Sequence, residues 1–369
     1  MGSCKMNTDL FLEMLNIDST SGMEGDFAAF LEERLRTPGC RIERFPVDSM
    51  GSFNILFSWG NPKVIFCSHM DTVPPYISPT SGEGDIICGR GTCDAKGQIF
   101  AMYEACLELE RRGKTDFGLL LLAGEETGSF GAKAFNSMMS EDKSMEDVWL
   151  VVGEPTDNCM TSAAKGTKSF EVEFEGEAFH SGYPQYGRSA VMMFNDFVNA
   201  LRSIGFPLDP ILGETTWNIG KLSSDNPQNI LSDRLTCRVY FRTTFESDEM
   251  VCNVMKNMAG PQARLRFGLP KVQDGSDIVA KDVADWQRYM KVTAYGGDAP
   301  TRFEVLEGFP SKPVSFGSDA PQLKCFRRKI LCGPGSILTA HRDNEHVALR
   351  DLETAVQNYM EIYSRLVVE

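Results

Sequence analysis

The chain has 369 residues, room for one large domain or two medium ones. Its residues are 42% hydrophobic, 24% charged and 10% aromatic, ordinary globular usage that excludes disordered and fibrous classes. With 37 basic against 51 acidic side chains the net charge is −14, a field that repels nucleic acid and anionic membrane surfaces.

Eleven cysteines are scattered along the chain, odd in number and without a Cys-x-x-Cys pair. Such thiols behave as small buried hydrophobes in a reducing compartment. The opening residues carry no pattern of a secretory leader, and the longest apolar runs, such as 119–123, fall far short of the ~20 residues of a membrane span. A cytoplasmic protein without nucleic-acid or membrane partners is expected.

In chain order, Leu10, Phe11, Met14 and Leu15 recur at helical spacing, as do Phe27, Phe30, Leu31 and Leu35. Short β-rich runs come next at 53–57, 64–67, 119–123 and 148–152. The last three lack strict alternation, as strands covered on both faces do. Helix-like segments at 98–112 and 131–139 lie between them, so the first part reads as a doubly wound, mostly parallel α/β sheet.

The texture changes after Lys165. Phe170, Val172 and Phe174 alternate with Glu171, Glu173 and Glu175, the mark of a half-exposed strand in an antiparallel sheet. A helix at 189–204, strands at 216–222 and 235–245, a helix at 248–258 and a strand at 264–267 complete the order βαββαβ, that of a ferredoxin-like α+β unit. Helices are then expected at 283–293 and 350–366. The spacing predicts one α/β domain over 1–166 and 272–369, interrupted by an inserted domain over 167–271.

In an open α/β sheet, ligands bind beyond the carboxyl ends of the strands. The run 64–67 leads into SHMDTVP (68–74), 119–123 into GEETG (124–128) and 148–152 into GEPT (153–156). These deliver His69, Asp71, Glu125, Glu126 and Glu154 to one rim, and GRGTCDAKG (89–97) adds Asp94 ahead of a helix. A single carboxylate at a strand end is ordinarily a helix cap or a solvated loop charge. Crowded together, carboxylates repel and raise one another's pKa, and divalent cations relieve this. Histidine with Asp and Glu suits zinc or a similar first-row ion. GRGTCDAKG lacks the Gly-Lys-Ser/Thr ending of a phosphate loop, the glutamates of GEETG repel a phosphate, and no Gly-x-Ser-x-Gly elbow stands after a strand.

With FHSG (179–182) and GPGS (333–336) leading to AHRDNE (340–345), these motifs resemble the M20 metallopeptidases, the co-catalytic zinc amidohydrolases that include acetylornithine deacetylase and succinyl-diaminopimelate desuccinylase. The resemblance covers essentially the whole chain. It implies that His69 and Glu154 hold one divalent metal, Glu126 and His341 the other, and that Asp94 bridges them. Zinc is the implied metal, with cobalt as the alternative. Asp71 orients His69 and Glu125 is the general base. The inserted domain is implied to be a lid that pairs two copies into a homodimer.

The resemblance further implies that His180 reaches a partner copy's active site and donates to the oxyanion; alternatively it is a loop histidine capping the turn before Pro184. Arg242, in VYFR (239–242), and Asn229, in NILSD (229–233), match positions that bind a substrate α-carboxylate. Ser318, in FGSD (316–319), matches a substrate contact. Leu231 and Ser232 depart from the family's apolar-proline step, and Ala95 stands where methionine is common. The implied reaction is hydrolysis of an N-acyl amino acid, as in the acetylornithine or acetyl-lysine deacetylases of amino-acid biosynthesis, with a dipeptidase or carboxypeptidase acting on short peptides as the alternative. A metal-dependent phosphoesterase and a catalytically dead binding protein fit less well.

Overall fold

The structure, a computed structural model, describes residues 6–48, 51–140, 143–258 and 287–367. The chain divides into two compact units. One comprises Met1–Ser162, Arg302–Val314 and Ser318–Glu369; the other comprises Ala163–Thr301 and Ser315–Gly317.

In the first unit a six-stranded sheet has the order Arg41–Pro46, Phe53–Trp59, Phe117–Leu122, Val64–His69, Trp149–Val152, Arg328–Leu331. The first two strands pair antiparallel, and from Phe117–Leu122 onward neighbours run parallel. Val64–His69 and Phe117–Leu122 are buried at every residue, which is why their sequences show no polar alternation. The helix Lys96–Arg111 packs on both of these strands and on the last helix, Leu349–Leu366. Phe11 stacks on Phe100 at 5.0 Å, and Phe66 meets Tyr359 at 5.4 Å. Tyr359 is fully buried and donates its hydroxyl to the Cys332 carbonyl at 3.0 Å, the partner a buried phenol needs. Sequence patterns do not reveal Arg41–Pro46 or Arg328–Leu331. Both are edge strands, and the charges that protect an edge also hide its pattern.

The second unit holds a four-stranded antiparallel sheet in the order Thr216–Ser223, Arg234–Thr243, Gly166–Glu175, Met290–Ala294, with the helices Ala190–Arg202 and Asp248–Met258. Ser189 caps the first helix by accepting the Met192 N–H. Phe170, Val172 and Phe174 enter a core with Phe197, Val239, Phe241 and Met255. On the opposite face Glu171, Glu173 and Glu175 pair with Arg238, Arg234 and Lys291 across the strands.

The fourth strand corrects the sequence reading. The strand expected at 264–267 lies outside the described residues. Of the helix expected at 283–293, residues 287–288 are helical, and Met290–Ala294 is instead a strand with Val292 opposite Val172. Its β-branched Val292 and Thr293 favour a pleated surface, and five residues are too few to separate a period of 2 from 3.6. The second unit accordingly runs past the expected boundary at residue 271 to Thr301. Among the described residues no helix is long and apolar enough to cross a membrane, and the described cysteines are unpaired.

One buried side chain fixes the loop after Phe117–Leu122. Asn54 donates to the Gly131 carbonyl at 2.9 Å and accepts the Ala123 N–H at 3.0 Å, clamping both ends of that loop. A Cβ at Gly131 would sit 2.4 Å from Asn54 Oδ1 and from the Ala123 oxygen, so only glycine fits there. Asn54→Ala orphans two buried backbone groups and should destabilise the first unit by about 2–4 kcal/mol. Urea unfolding reads this as a lower midpoint; an unchanged midpoint would remove the clamp.

Candidate metal centre

Five stretches of the first unit bring their acidic and imidazole side chains to one place. His69 ends its strand and is 2% exposed. Its Nδ1–H donates to the Asp71 carbonyl at 2.9 Å, which fixes the tautomer whose Nε2 offers a lone pair. Nε2 lies 3.0 Å from Asp94 Oδ1. Asp94 immediately precedes the helix Lys96–Arg111, where the macrodipole favours negative charge. Its other oxygen, Oδ2, is 3.3 Å from Nε2 of His341, which in turn is 2.8 Å from Glu126 Oε1. His341 has φ 61°, in the left-handed region where histidine is enriched among non-glycine residues.

Two candidate ligand groups result, with ligand atoms within 4.8 Å of one another: His69, Asp94 and Glu154; and Asp94, Glu126 and His341. Asp94 belongs to both. A third grouping of His69, Glu125 and Glu126 draws two of its members from those sets and leaves Glu125 as the additional carboxylate.

The turn that presents Glu125 and Glu126 is held from below by Asp71. Its fully buried carboxylate accepts the Glu125 N–H at 2.9 Å on Oδ1 and the Glu126 N–H at 3.1 Å on Oδ2. Ser21 donates its hydroxyl to Oδ2 at 2.8 Å, and His69 Nδ1 lies 3.4 Å from Oδ1. The turn starts at Gly124 with φ 69°, a conformation L side chains avoid.

Electrostatics decide what the cluster can hold. Two unit charges about 4 Å apart repel by about 4 kcal/mol at an effective dielectric of about 20. A few such pairs would consume the ~5–15 kcal/mol by which a domain is stable. Burial raises the Glu154 carboxyl well above its ordinary range; Asp94, Glu125 and Asp319 push the same way and His69 opposes. Burial likewise raises Glu125 well above that range; His69 opposes, and Asp319, Glu126 and Asp94 add to it. Hydrogen bonds to Asp94 and Glu126 hold the His341 imidazole up at about 10. For His69, burial lowers the pKa, but the bonds to Asp71 and Asp94 prevail and it stands well above the ordinary value. The pocket therefore draws in positive charge, as protons or as metal.

The donor set is nitrogen and carboxylate oxygen. The nearby Cys67 and Cys93 thiols are pushed up by burial and stay protonated, so they bring no soft ligand. Imidazole with carboxylates fits zinc or a similar first-row ion.

The other expected site residues divide between the units. Ser318 is buried in the first unit and its hydroxyl accepts the Ala320 N–H at 3.4 Å. His180, Asn229 and Arg242 belong to the second unit. His180 is exposed and its Nδ1 accepts the Gly182 N–H at 3.0 Å, the contact of a turn-capping histidine. Asn229 is exposed and its carbonyl accepts the Ser181 N–H. Arg242 is half-buried with its guanidinium 5.1 Å from the Tyr240 ring. Sequence reasoning assigns no role to Ser21, Asp319 or Glu345. Asp319 and Glu345 stand inside the motifs FGSD and AHRDNE, but only spatial contact reveals what they touch.

The chain is similar to known proteins over most of its length. The profile of peptidase family M20/M25/M40 matches residues 65–365. A probable carboxypeptidase of Aspergillus niger is 30% identical over 384 residues, covering 95% of this chain and 87% of the relative. A tripeptidase structure from Staphylococcus aureus superposes with TM-score 0.76 at 20% identity, covering 97% of each chain. An M20 family metallo-carboxypeptidase structure from Sulfolobus solfataricus superposes with TM-score 0.70 at 14% identity, covering 97% of this chain and 98% of that one. At those identities the two structures speak for the fold.

Because the Asp71 carboxylate holds the Glu125–Glu126 turn and lies 3.4 Å from His69 Nδ1, Asp71→Ala should lower zinc affinity by about 10–100-fold. Ser21→Ala, which removes one hydroxyl donor to the Asp71 carboxylate, should cost less. Competition with a chromogenic chelator measures both, and parental affinity in the Asp71 variant would refute the positioning role.

Proposed function

The chain belongs to peptidase family M20/M25/M40, and on that premise we propose that it is a two-metal peptidase releasing the C-terminal residue of short peptides. One observation carries the substrate class: the Aspergillus relative that matches 95% of this chain is named a probable carboxypeptidase. The N-acyl amino acid deacetylase implied by the resemblance gives way to the peptidase alternative on that ground. The bond is an amide in either case, and the same residues serve both.

In the proposed centre His69 and Glu154 would hold one cation and Glu126 and His341 the other, with Asp94 available to both. Zinc, with cobalt as the alternative, would supply Lewis-acid polarisation of the scissile carbonyl and acidify water toward neutrality. Glu125 is the proposed general base. Its amide is fixed by Asp71, and it adjoins Glu126, so its carboxylate stands beside the ligands while remaining outside the two ligand sets that share Asp94. From there it takes a proton from the attacking water and passes it to the departing amine. Asp71 keeps His69 and the base in register. Arg242 is the proposed partner of the peptide's terminal carboxylate, which a guanidinium fork binds through two parallel hydrogen bonds.

The experiment is a panel of dipeptides, N-blocked dipeptides, N-acetyl and N-succinyl amino acids assayed with added zinc or cobalt. Hydrolysis of the N-blocked dipeptides with kcat/KM above that of the N-acetyl amino acids is expected; the reverse order would restore the deacetylase. Glu125→Gln should keep its metal while kcat falls by about 10²–10⁴-fold, and turnover close to parental would remove it as the base. Arg242→Met should raise KM for free-acid peptides by about tenfold or more and abolish the preference over C-terminal amides. Unchanged KM would remove Arg242 from substrate recognition.

A further inference from the structure

Glu345 lies just beyond His341 and is 1% exposed. Its Oε1 accepts three backbone N–H groups of the loop that carries Asp94: Gly91 at 2.9 Å, Cys93 at 3.0 Å and Asp94 itself at 3.1 Å. Its Oε2 accepts from Arg90 Nη1 at 2.6 Å. Arg90 is equally buried and also donates to the carbonyls of Arg342 at 3.2 Å and Pro75 at 3.2 Å. The Glu345 carbonyl accepts the Gly89 N–H at 2.9 Å, and the next residues, His346–Ala348, pair with Ile86–Cys88.

Backbone N–H groups converging from one loop make an anion cradle. Here the chain's own carboxylate fills it, which is the physical reason that GRGTCDAKG resembles a phosphate loop without being one. Three donors on one oxygen call for a full negative charge, since charge-assisted hydrogen bonds are about twice as strong as neutral ones. That charge adds to an already acidic neighbourhood, and Arg90 neutralises it at contact distance. A buried ion pair could be replaced by apolar groups if stability alone were at stake. This one instead contacts backbone on both sides of the site.

We propose that Glu345 is a positioning residue that sets the loop carrying Asp94 against the segment carrying His341, so that one Asp94 carboxylate serves both ligand groups. Arg90 holds Glu345 in that pose. The inference rests on the two-metal reading of the site and adds to it a residue that touches neither ion nor substrate.

The test uses the full chain freed of metal and titrated with cobalt(II) chloride, followed by visible d–d absorption alongside thermal unfolding. The parent should take up two cobalt ions. Glu345→Ala should bind at least one of them about 10–100-fold more weakly, with a changed visible band. Glu345→Gln keeps an oxygen that can accept the amides and should recover part of the loss. Arg90→Lys should show the same defect in milder form, and it carries the test if Glu345→Ala does not fold. A role in folding alone would lower the unfolding temperature yet leave cobalt affinity and spectrum parental in the folded variants, which overturns the inference while the two-metal reading stands. A parent that binds no cobalt overturns that reading and this inference with it.

Discussion

Carboxylates crowded into one small buried space are the constraint around which this protein is arranged. Asp94, Glu125, Glu126 and Glu154 meet there beside His69 and His341, and Asp319 adds its charge. Two further buried carboxylates, Asp71 and Glu345, are spent on holding backbone. Asp71 takes the amides of the Glu125–Glu126 turn, and Glu345 takes those of the Asp94 loop. Each of these two segments, which present acids able to meet a cation, is thus pinned by another acid below it. Backbone amides have fixed dipoles, so such anchoring needs no rearrangement when a charge arrives.

The parallel sheet makes the crowding geometrically available. Val64–His69, Phe117–Leu122 and Trp149–Val152 lie near one another in the same sheet and run the same way, so the loops leaving their carboxyl ends emerge at one edge. Side chains far apart along the chain converge without any long excursion. Asn54 supports the second of these exits by bonding both ends of the loop. The helix after Asp94 is buried through most of its length, which seats the loop ahead of it firmly.

The parts of this design legible in the sequence are those with a strong local pattern. Apolar runs such as 64–67 mark the buried strands, and the residues just past them name the cluster. Edge strands escape notice because Arg41, Glu43 and Arg44 or Arg328 and Lys329 interrupt the apolar signal. Met290–Ala294 reads as helix because its strand character comes from pairing with Gly166–Glu175, a partner more than a hundred positions away along the chain. Glu345 is invisible for a related reason. A carboxylate that binds backbone amides leaves no residue-type signature on its partners, because every residue but proline has an N–H. Substrate class is the least legible of all, since the amide chemistry is common to deacetylases and peptidases.

The claim that two cations share Asp94 is tested most directly by anomalous diffraction at the zinc edge from crystals grown with zinc. Two peaks about 3.5–4 Å apart are predicted, one against His69 and Glu154, the other against Glu126 and His341, with one Asp94 oxygen on each. A single peak, or a pair in which Asp94 touches only one ion, would contradict it.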